Sequence, residues 1–106
     1  MNHFTNKAGF NGIRSHPVWK FLALQPPPVT HPPGAYFTDY AATEPNLAKK
    51  LRIPREKLRY LFQFEPPTPL LPLPGGRGQF KRIFYSPNDY LVARDFQGYH
   101  GESGLP

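Results

Sequence analysis

The sequence contains no cysteine, few acidic residues and no long apolar segment, and each shortage excludes a class of protein. Without cysteine the chain can form neither a disulfide scaffold nor a thiolate metal site. The longest apolar candidate, residues 18–24, is interrupted by Lys20 and falls short of the roughly 18 residues that a membrane-spanning helix needs. The histidines, at positions 3, 16, 31 and 100, lack the spacing of a zinc site. We therefore expect neither a metal centre nor a membrane span.

Thirteen Lys and Arg residues against seven Asp and Glu give the chain a net charge of +6. This excess fits a ligand or partner that carries phosphates, such as nucleic acid or a dinucleotide, and it equally fits a basic surface without such a partner. Much of it lies in one basic stretch, residues 49–59, whose basic members are Lys49, Lys50, Arg52, Arg55, Lys57 and Arg59. The basic stretch is either a solvated helix face or the surface that meets an acidic target.

Proline is abundant, and fifteen prolines disfavour long helices and favour short strands joined by stiff connections. Thr5 is the predicted cap of the first helix, and Ser86-Pro87-Asn88 is the predicted hairpin turn between the last two strands. Segment 65–78 and the tail from Gly98 are predicted to lack regular structure. The predicted strands are 2–5, 34–38, 58–64, 80–85 and 89–94, and the predicted helices are 7–13 and 46–51. Residues 18–24 are apolar and fit either a strand or a helix. The 106 residues therefore predict a single α+β domain with a small β core and a few short helices.

Three of these predicted strands or strand ends each offer one residue suited to a polar or stacking task. Segment 2–6, Asn-His-Phe-Thr-Asn, offers His3. Segment 34–40, Gly-Ala-Tyr-Phe-Thr-Asp-Tyr, offers Tyr36, and segment 88–92, Asn-Asp-Tyr-Leu-Val, offers Asp89. Taken singly, these are also an ordinary strand histidine, a half-buried core aromatic and a turn carboxylate. Together and in this order, they could hold a nicotinamide dinucleotide and break its glycosidic bond.

The three segments resemble the ADP-ribosyltransferase superfamily. Segment 34–46 is similar to the Gly-hydrophobic-Tyr-Phe-Ala-Asp…Asn stretch of the poly- and mono-ADP-ribosyltransferases, and segment 88–92 to the Asn-Glu-Tyr-Ile-Val run that bears their catalytic glutamate. The opening His3-Phe4-Thr5 looks like their His-Gly-Thr/Ser strand, and it is closer to the His-Tyr-Thr-Ser opening of small bacterial toxin domains with a His-Tyr-Asp signature. The resemblance implies a split, mostly antiparallel β core around an NAD cleft.

The resemblance assigns the NAD contacts to the strand His3-Phe4-Thr5 and to Tyr36. His3 would hydrogen-bond the adenosine-side ribose, and the backbone at Phe4 would pair with the nicotinamide carboxamide. Tyr36 would stack on the nicotinamide ring, a contact worth roughly 0.5–1.5 kcal/mol beyond burial. Positive charges nearby, among them Arg14 and Lys7, would meet the pyrophosphate.

Asp89 is the catalytic carboxylate that the resemblance implies. It would accept a hydrogen bond from the 2′-hydroxyl of the nicotinamide ribose, and its charge would stabilise the cation formed as nicotinamide leaves. Asp39, which ends the Tyr36 strand, and Glu65 are rivals for this role. An aspartate in place of the family's glutamate, as in the His-Tyr-Asp toxins, favours single transfer over chain elongation.

Two positions depart from the family pattern. The family's glycine after the histidine is Phe4 here, and its side chain would either crowd the carboxamide or close over it. The second stacking aromatic of the polymerase-type members is replaced by Leu47, and Tyr40 is the expected substitute.

The resulting prediction is an NAD-dependent mono-ADP-ribosyltransferase that passes ADP-ribose to a macromolecular acceptor, either protein or nucleic acid. The resemblance to toxins implies a secreted bacterial effector acting in the cytoplasm of a target cell. It also implies the C-terminal domain of a larger protein, with an immunity protein as a partner. The alternatives are an NAD glycohydrolase that uses the same site, an inactive NAD binder, and a non-catalytic nucleic-acid-binding module that uses the basic stretch.

Overall fold

The computed structural model describes residues 1–24, 32–73 and 82–105, and these form short strands and helices around two apolar clusters. The α-helices are α1 (Lys7–Arg14) and α2 (Leu47–Leu51), and 3-10 helices cover Arg55–Leu58 and Arg94–Phe96. The strands are β1 (Asn2–Thr5), β2 (Trp19–Phe21), β3 (Ala35–Thr38), β4 (Tyr60–Phe64), β5 (Leu71–Pro72), β6 (Ile83–Ser86), β7 (Tyr90–Val92) and β8 (Gln97–Glu102). The predicted α+β class is confirmed.

The strands form two antiparallel sheets. The larger sheet has six strands in the order β5-β6-β3-β1-β4-β8, and β2 pairs with β7 in a separate two-stranded sheet. β1 is therefore central, with β3 on one flank and β4 on the other. This central position places the start of the chain in the middle of the fold.

The larger sheet separates the two apolar clusters, because successive side chains of a strand point to opposite faces. Between this sheet and the β2–β7 pair lies a cluster rich in aromatic residues, in which Phe21, Phe62 and Val92 are almost fully enclosed. The opposite face carries a smaller cluster in which α2 and the 3-10 helix Arg55–Leu58 cover β1 and β4. Its members are Phe4, Tyr40, Leu47, Leu58 and Leu61. Burying each large apolar side chain contributes about 1.5–3 kcal/mol, so the aromatic cluster provides much of the stability.

The first helix is capped by Asn6 and not by Thr5, which corrects the sequence prediction. The Asn6 backbone is extended, with φ −84° and ψ −179°, and its side-chain oxygen accepts a hydrogen bond from the Gly9 N–H at 2.9 Å. Thr5 remains the last residue of β1 and is buried against the helix. A Cβ atom on Gly9 would lie only 2.1 Å from the Thr5 hydroxyl oxygen, so the glycine permits this close contact.

Three predictions for the C-terminal half are wrong. Ser86-Pro87-Asn88 does not join a hairpin, because β6 pairs with β3 and β5, whereas β7 pairs with β2 in the other sheet. The tail from Gly98 is not frayed: β8 runs from Gln97 to Glu102 and pairs with β4. Within segment 65–78, Leu71–Pro72 forms β5 at the edge of the larger sheet, while residues 74–78 lie outside the described residues. The packing of Tyr90 and Val92 in the aromatic cluster moves the chain from one sheet to the other.

Candidate active site

The larger sheet opens between β1 and β3. β1 pairs with β4 at four register positions, but with β3 only at Asn2–Thr38. Beyond that position the Tyr36 carbonyl accepts a hydrogen bond from His3 Nδ1 at 2.9 Å, where a continuous sheet would have a backbone pair. A cleft of about 350 Å³ lies along this opening, and its lining includes His3, Phe4, Thr5 and Tyr36. The structure therefore brings four of the predicted site residues together.

The backbone of Phe4 faces the opening. In an antiparallel pair, alternate residues direct their N–H and C=O groups toward the same neighbouring strand. Met1 exchanges both backbone hydrogen bonds with Phe64, at 2.9 and 3.0 Å, so Asn2 and Phe4 direct theirs away from β4 and toward β3. Asn2 is in register with Thr38, whereas no residue of β3 is in register with Phe4. A donor and an acceptor thus point from Phe4 into the cleft, while its side chain is buried below in the smaller cluster.

His3 is held as a neutral ring. It packs against Phe21 and Phe37, with ring centroids 4.8 and 5.6 Å away, and burial lowers its pKa to about 4. The hydrogen bond to the Tyr36 carbonyl favours the charged ring but offsets only part of this effect. Because a carbonyl can only accept, Nδ1 carries the proton, and Nε2 is left as an acceptor at neutral pH.

Tyr36 lines the cleft with its ring fixed on one side. Its ring stacks on Tyr85 at a centroid distance of 5.6 Å, and its hydroxyl donates to the Pro32 carbonyl at 2.5 Å. Burial, followed by the neighbouring Tyr85, raises the pKa of the Tyr36 hydroxyl, so it stays protonated near neutral pH. The contact with Tyr85 and the hydrogen bond to Pro32 therefore fix the orientation of the Tyr36 ring at the cleft.

Two further segments form the walls of the cleft. Leu22 and Leu24 line one side, and a two-way backbone bridge between Leu24 and Gly34, at 3.0 and 2.9 Å, joins this segment to the start of β3. Leu51, Ile53 and Lys57 line the other side. Lys57 is a functional candidate that the sequence analysis missed. The sequence identifies Lys57 only as part of the basic stretch, and no sequence pattern indicates that its side chain reaches the cleft.

Asp89 lies beside the cleft and is not part of its lining. Its Oδ1 accepts a hydrogen bond from the Ala23 N–H at 2.7 Å, and its Oδ2 lies 3.7 Å from Lys20 Nζ. Ala23 lies between Leu22 and Leu24, which line the cleft. The hydrogen bond from Ala23 to Asp89 therefore stabilises the position of this wall. Both charged side chains are about half exposed.

The structure does not bring Tyr40 or Arg14 to the cleft. Tyr40 is buried in the smaller cluster, and its ring is covered by Arg82 at 4.5 Å and by Lys50 at 5.5 Å. Arg14 lies over the Phe10 ring at the end of α1 and borders a separate, open pocket beside His100. Neither position suits the NAD contact expected from the sequence.

The rival carboxylates also lie outside the cleft lining. Asp39 Oδ1 accepts from Arg82 Nε at 2.7 Å, and the same guanidinium donates to the Asp39 carbonyl at 3.1 Å. Glu65 is exposed just beyond β4, where its backbone N–H donates to the Phe96 carbonyl. Asp89 binds the backbone between two lining residues, Leu22 and Leu24, whereas Asp39 follows the lining residue Thr38 and is held by Arg82.

Comparisons with protein-family models, with curated proteins and with solved structures found no match. Within residues 1–24, 32–73 and 82–105, no group of three or more His, Asp or Glu side chains could hold a metal ion. No helix in that part of the chain is long and apolar enough to cross a membrane.

Proposed function

We propose that the cleft between β1 and β3 binds NAD and that the protein is a mono-ADP-ribosyltransferase. The observation that supports this most strongly is the convergence of His3, the Phe4 backbone and Tyr36 on one opening of the sheet. These are the residues that the resemblance assigns to NAD, and they come from separate parts of the chain. A role as a secreted effector with an immunity partner belongs to the same proposal.

The nicotinamide end fits the Phe4 side of the cleft. A carboxamide donates through nitrogen and accepts through oxygen, and the Phe4 C=O and N–H offer the complementary pair. The Tyr36 ring, which lines the same cleft, then stacks on the pyridine ring, and this adds roughly 0.5–1.5 kcal/mol beyond burial. Because the Phe4 side chain packs away from the opening, it need not crowd the carboxamide.

The remaining parts of NAD meet His3 and Lys57. A neutral His3 accepts a hydrogen bond from a ribose hydroxyl through Nε2, and this requires no change of protonation at pH 7. Lys57 supplies a charge-assisted contact for the pyrophosphate, the role that the sequence analysis gave to Arg14.

Asp89 remains the proposed catalytic carboxylate. In the reaction, the bond between C1′ of the nicotinamide ribose and the pyridine nitrogen breaks, and nicotinamide leaves with the electron pair. An acceptor oxygen or nitrogen supplies the pair for the new bond, and its proton passes to water. To stabilise the cationic ribose, Asp89 must turn from Ala23 and Lys20. One charge-assisted hydrogen bond of about 1.5–3 kcal/mol and one exposed ion pair of at most about 1 kcal/mol oppose this turn, and the contact with the cationic ribose must offset them.

Nicotinamide release from NAD tests the proposal, with wild type and Asp89→Asn measured side by side. Asparagine keeps an oxygen that can accept from Ala23 but loses the charge, so NAD should still bind while turnover falls by at least about 100-fold. Tyr36→Ala should weaken NAD binding and turnover together. Equal turnover in wild type and Asp89→Asn would contradict the carboxylate assignment and direct the same test to Asp39→Asn and Glu65→Gln. An absence of calorimetric NAD binding would contradict the proposed function itself.

A further inference from the structure

The positive charge of this protein is concentrated in the basic stretch. Residues 49–59 contain six basic residues and one acidic residue, whereas the other 95 residues contain seven basic and six acidic. Lys50 is paired with Glu44 at 2.7 Å, and Lys49, Arg55, Lys57 and Arg59 are exposed. A chain of otherwise balanced charge therefore presents one strongly positive segment.

This segment adjoins the cleft. It runs through α2 and the 3-10 helix Arg55–Leu58, which lie over the smaller cluster on the same side of the sheet as the Phe4 side chain. Leu51, Ile53 and Lys57 of the segment form one wall of the cleft. A molecule bound along the exposed cations would thus lie at the mouth of the proposed NAD site.

We infer that the acceptor of ADP-ribose is a nucleic acid, held on the basic stretch through its phosphates. The inference rests on the proposed function, and it adds the class of acceptor. Held there, the acceptor presents a base or sugar oxygen or nitrogen to the ribose carbon from which nicotinamide leaves. Its electron pair forms the new bond and its proton passes to water.

The composition of the segment favours a phosphate backbone over an acidic protein. Interfaces between proteins are enriched in aromatic residues, Met and Arg and depleted in Lys, and three of the six basic residues of the segment are lysines. The large apolar side chains exposed among the described residues all lie elsewhere, at Val18, Leu22, Leu24, Leu71, Leu91, Phe96 and Tyr99. Exposed aromatic residues are also what single strands need for stacking, so a duplex or a folded RNA fits this segment better.

Binding of a labelled DNA duplex and of a labelled RNA hairpin, measured by fluorescence anisotropy over a salt series, tests the docking step. Wild type should show a log–log salt slope of roughly −3 to −4, and Lys49→Glu with Arg55→Glu should reduce the magnitude of this slope by about 2. The matched control, Arg14→Glu with Arg94→Glu, makes the same change in net charge at exposed residues away from the segment and from the cleft lining. It should leave the affinity within about twofold. Circular dichroism verifies that both double variants fold.

Two results of the binding experiment would overturn the inference. Equal losses in the two double variants would show that only net charge matters. Poly-glutamate that competes as well as the duplex at equal charge would show that the segment binds acidic polymers in general. The DNA and RNA arms show which nucleic acid binds more tightly.

Transfer from labelled NAD tests the acceptor itself. We expect wild type to place label on the nucleic acid. The variant Lys49→Glu with Arg55→Glu should transfer at least about tenfold less label, and the control variant should transfer as much as wild type. Nicotinamide release with label found only on protein or in free ADP-ribose would overturn the acceptor inference and leave the proposed function intact. No release, with or without nucleic acid, would contradict the proposed function, and the acceptor inference would fail with it.

Discussion

The two flanks of β1 differ although the same four residues form both. Toward β4, the strand is paired from Asn2 to Thr5, and the contact is sealed by Phe62, which is fully buried. Toward β3, pairing stops after Asn2, and a side-chain hydrogen bond from His3 takes the place of the next backbone pair. A small sheet can therefore form a closed core on one flank of a strand and an open cleft on the other, where a histidine side chain takes the place of a backbone pair.

The largest expected effect is on the closed flank. Phe62→Ala removes an aromatic ring that contacts Phe10, Trp19 and Phe21, and it should lower the free energy of unfolding by about 3–5 kcal/mol. Urea denaturation measures this loss. The matched control is Phe96→Ala, whose ring is 40% exposed, and it should change stability by less than about 1 kcal/mol. Equal losses in the two variants would show that the closed flank does not anchor the fold.

The open flank should make stability depend on pH. The pKa of His3 is about 4 in the folded protein, against about 6.5 in the unfolded chain, so only the unfolded chain gains a proton between these values. This contribution to stability is fully present above pH 6.5 and is lost as pH falls toward 4, by up to about 3 kcal/mol.

Thermal unfolding of His3→Gln across this pH range measures the effect. In His3→Gln, stability should decrease less between pH 6.5 and 4 than in wild type. The control His16→Gln, which replaces an exposed histidine, should show the same decrease as wild type. A wild-type profile that His3→Gln leaves unchanged would contradict the buried neutral ring.

A smaller effect is expected at Gly9, where α1 packs against Thr5 at the end of β1. Gly9→Ala should cost about 1–3 kcal/mol, because the new Cβ would overlap the buried Thr5 hydroxyl. Gly12→Ala in the same helix has open space around the new Cβ and should stabilise by about 0.5–1 kcal/mol. Denaturation midpoints that move in the same direction would contradict the close approach of helix and strand.

The smallest effect on stability is expected in the cleft wall. Leu24 is 63% exposed, so Leu24→Ala should change the free energy of unfolding by less than about 0.5 kcal/mol. Because Leu24 lines the cleft, the affinity for NAD should nevertheless fall about two- to fivefold, for a lost contact of about 0.5–1 kcal/mol. Calorimetry on Leu24→Ala and on Leu91→Ala separates the two effects, because Leu91 is 56% exposed and lies outside the cleft lining. An identical affinity in both variants would exclude this wall from the site.

Local sequence signals predicted the N-terminal half of the fold well. β1, α1, β3 and α2 lie close to their predicted ranges, because apolar alternation and helix start signals act over a few residues. The C-terminal half depends on long-range pairing. β8 contains two glycines and a histidine, which is not a strand pattern, and it forms because β4 offers an edge.

The candidate site was predictable in its parts but not in its arrangement. The order of His3, Tyr36 and Asp89 indicated the residues, and the placement of His3 beside Tyr36 follows from adjacent strands. The position of Asp89 outside the lining depends on the pairing of β7 with β2, and the entry of Lys57 depends on how the 3-10 helix packs. Both are tertiary contacts that no local pattern records.

An amide-resolved NMR titration with NAD tests the central claim, that the open flank of β1 is the binding cleft. We predict saturable shifts of the Phe4 and Tyr36 amides, with the amides of Leu61 and Phe62 on the closed flank unchanged. Saturable shifts confined to Asn11–Ser15 and His100, around the separate pocket at Arg14, would contradict the claim. Shifts of equal size on both flanks of β1 would contradict it as well.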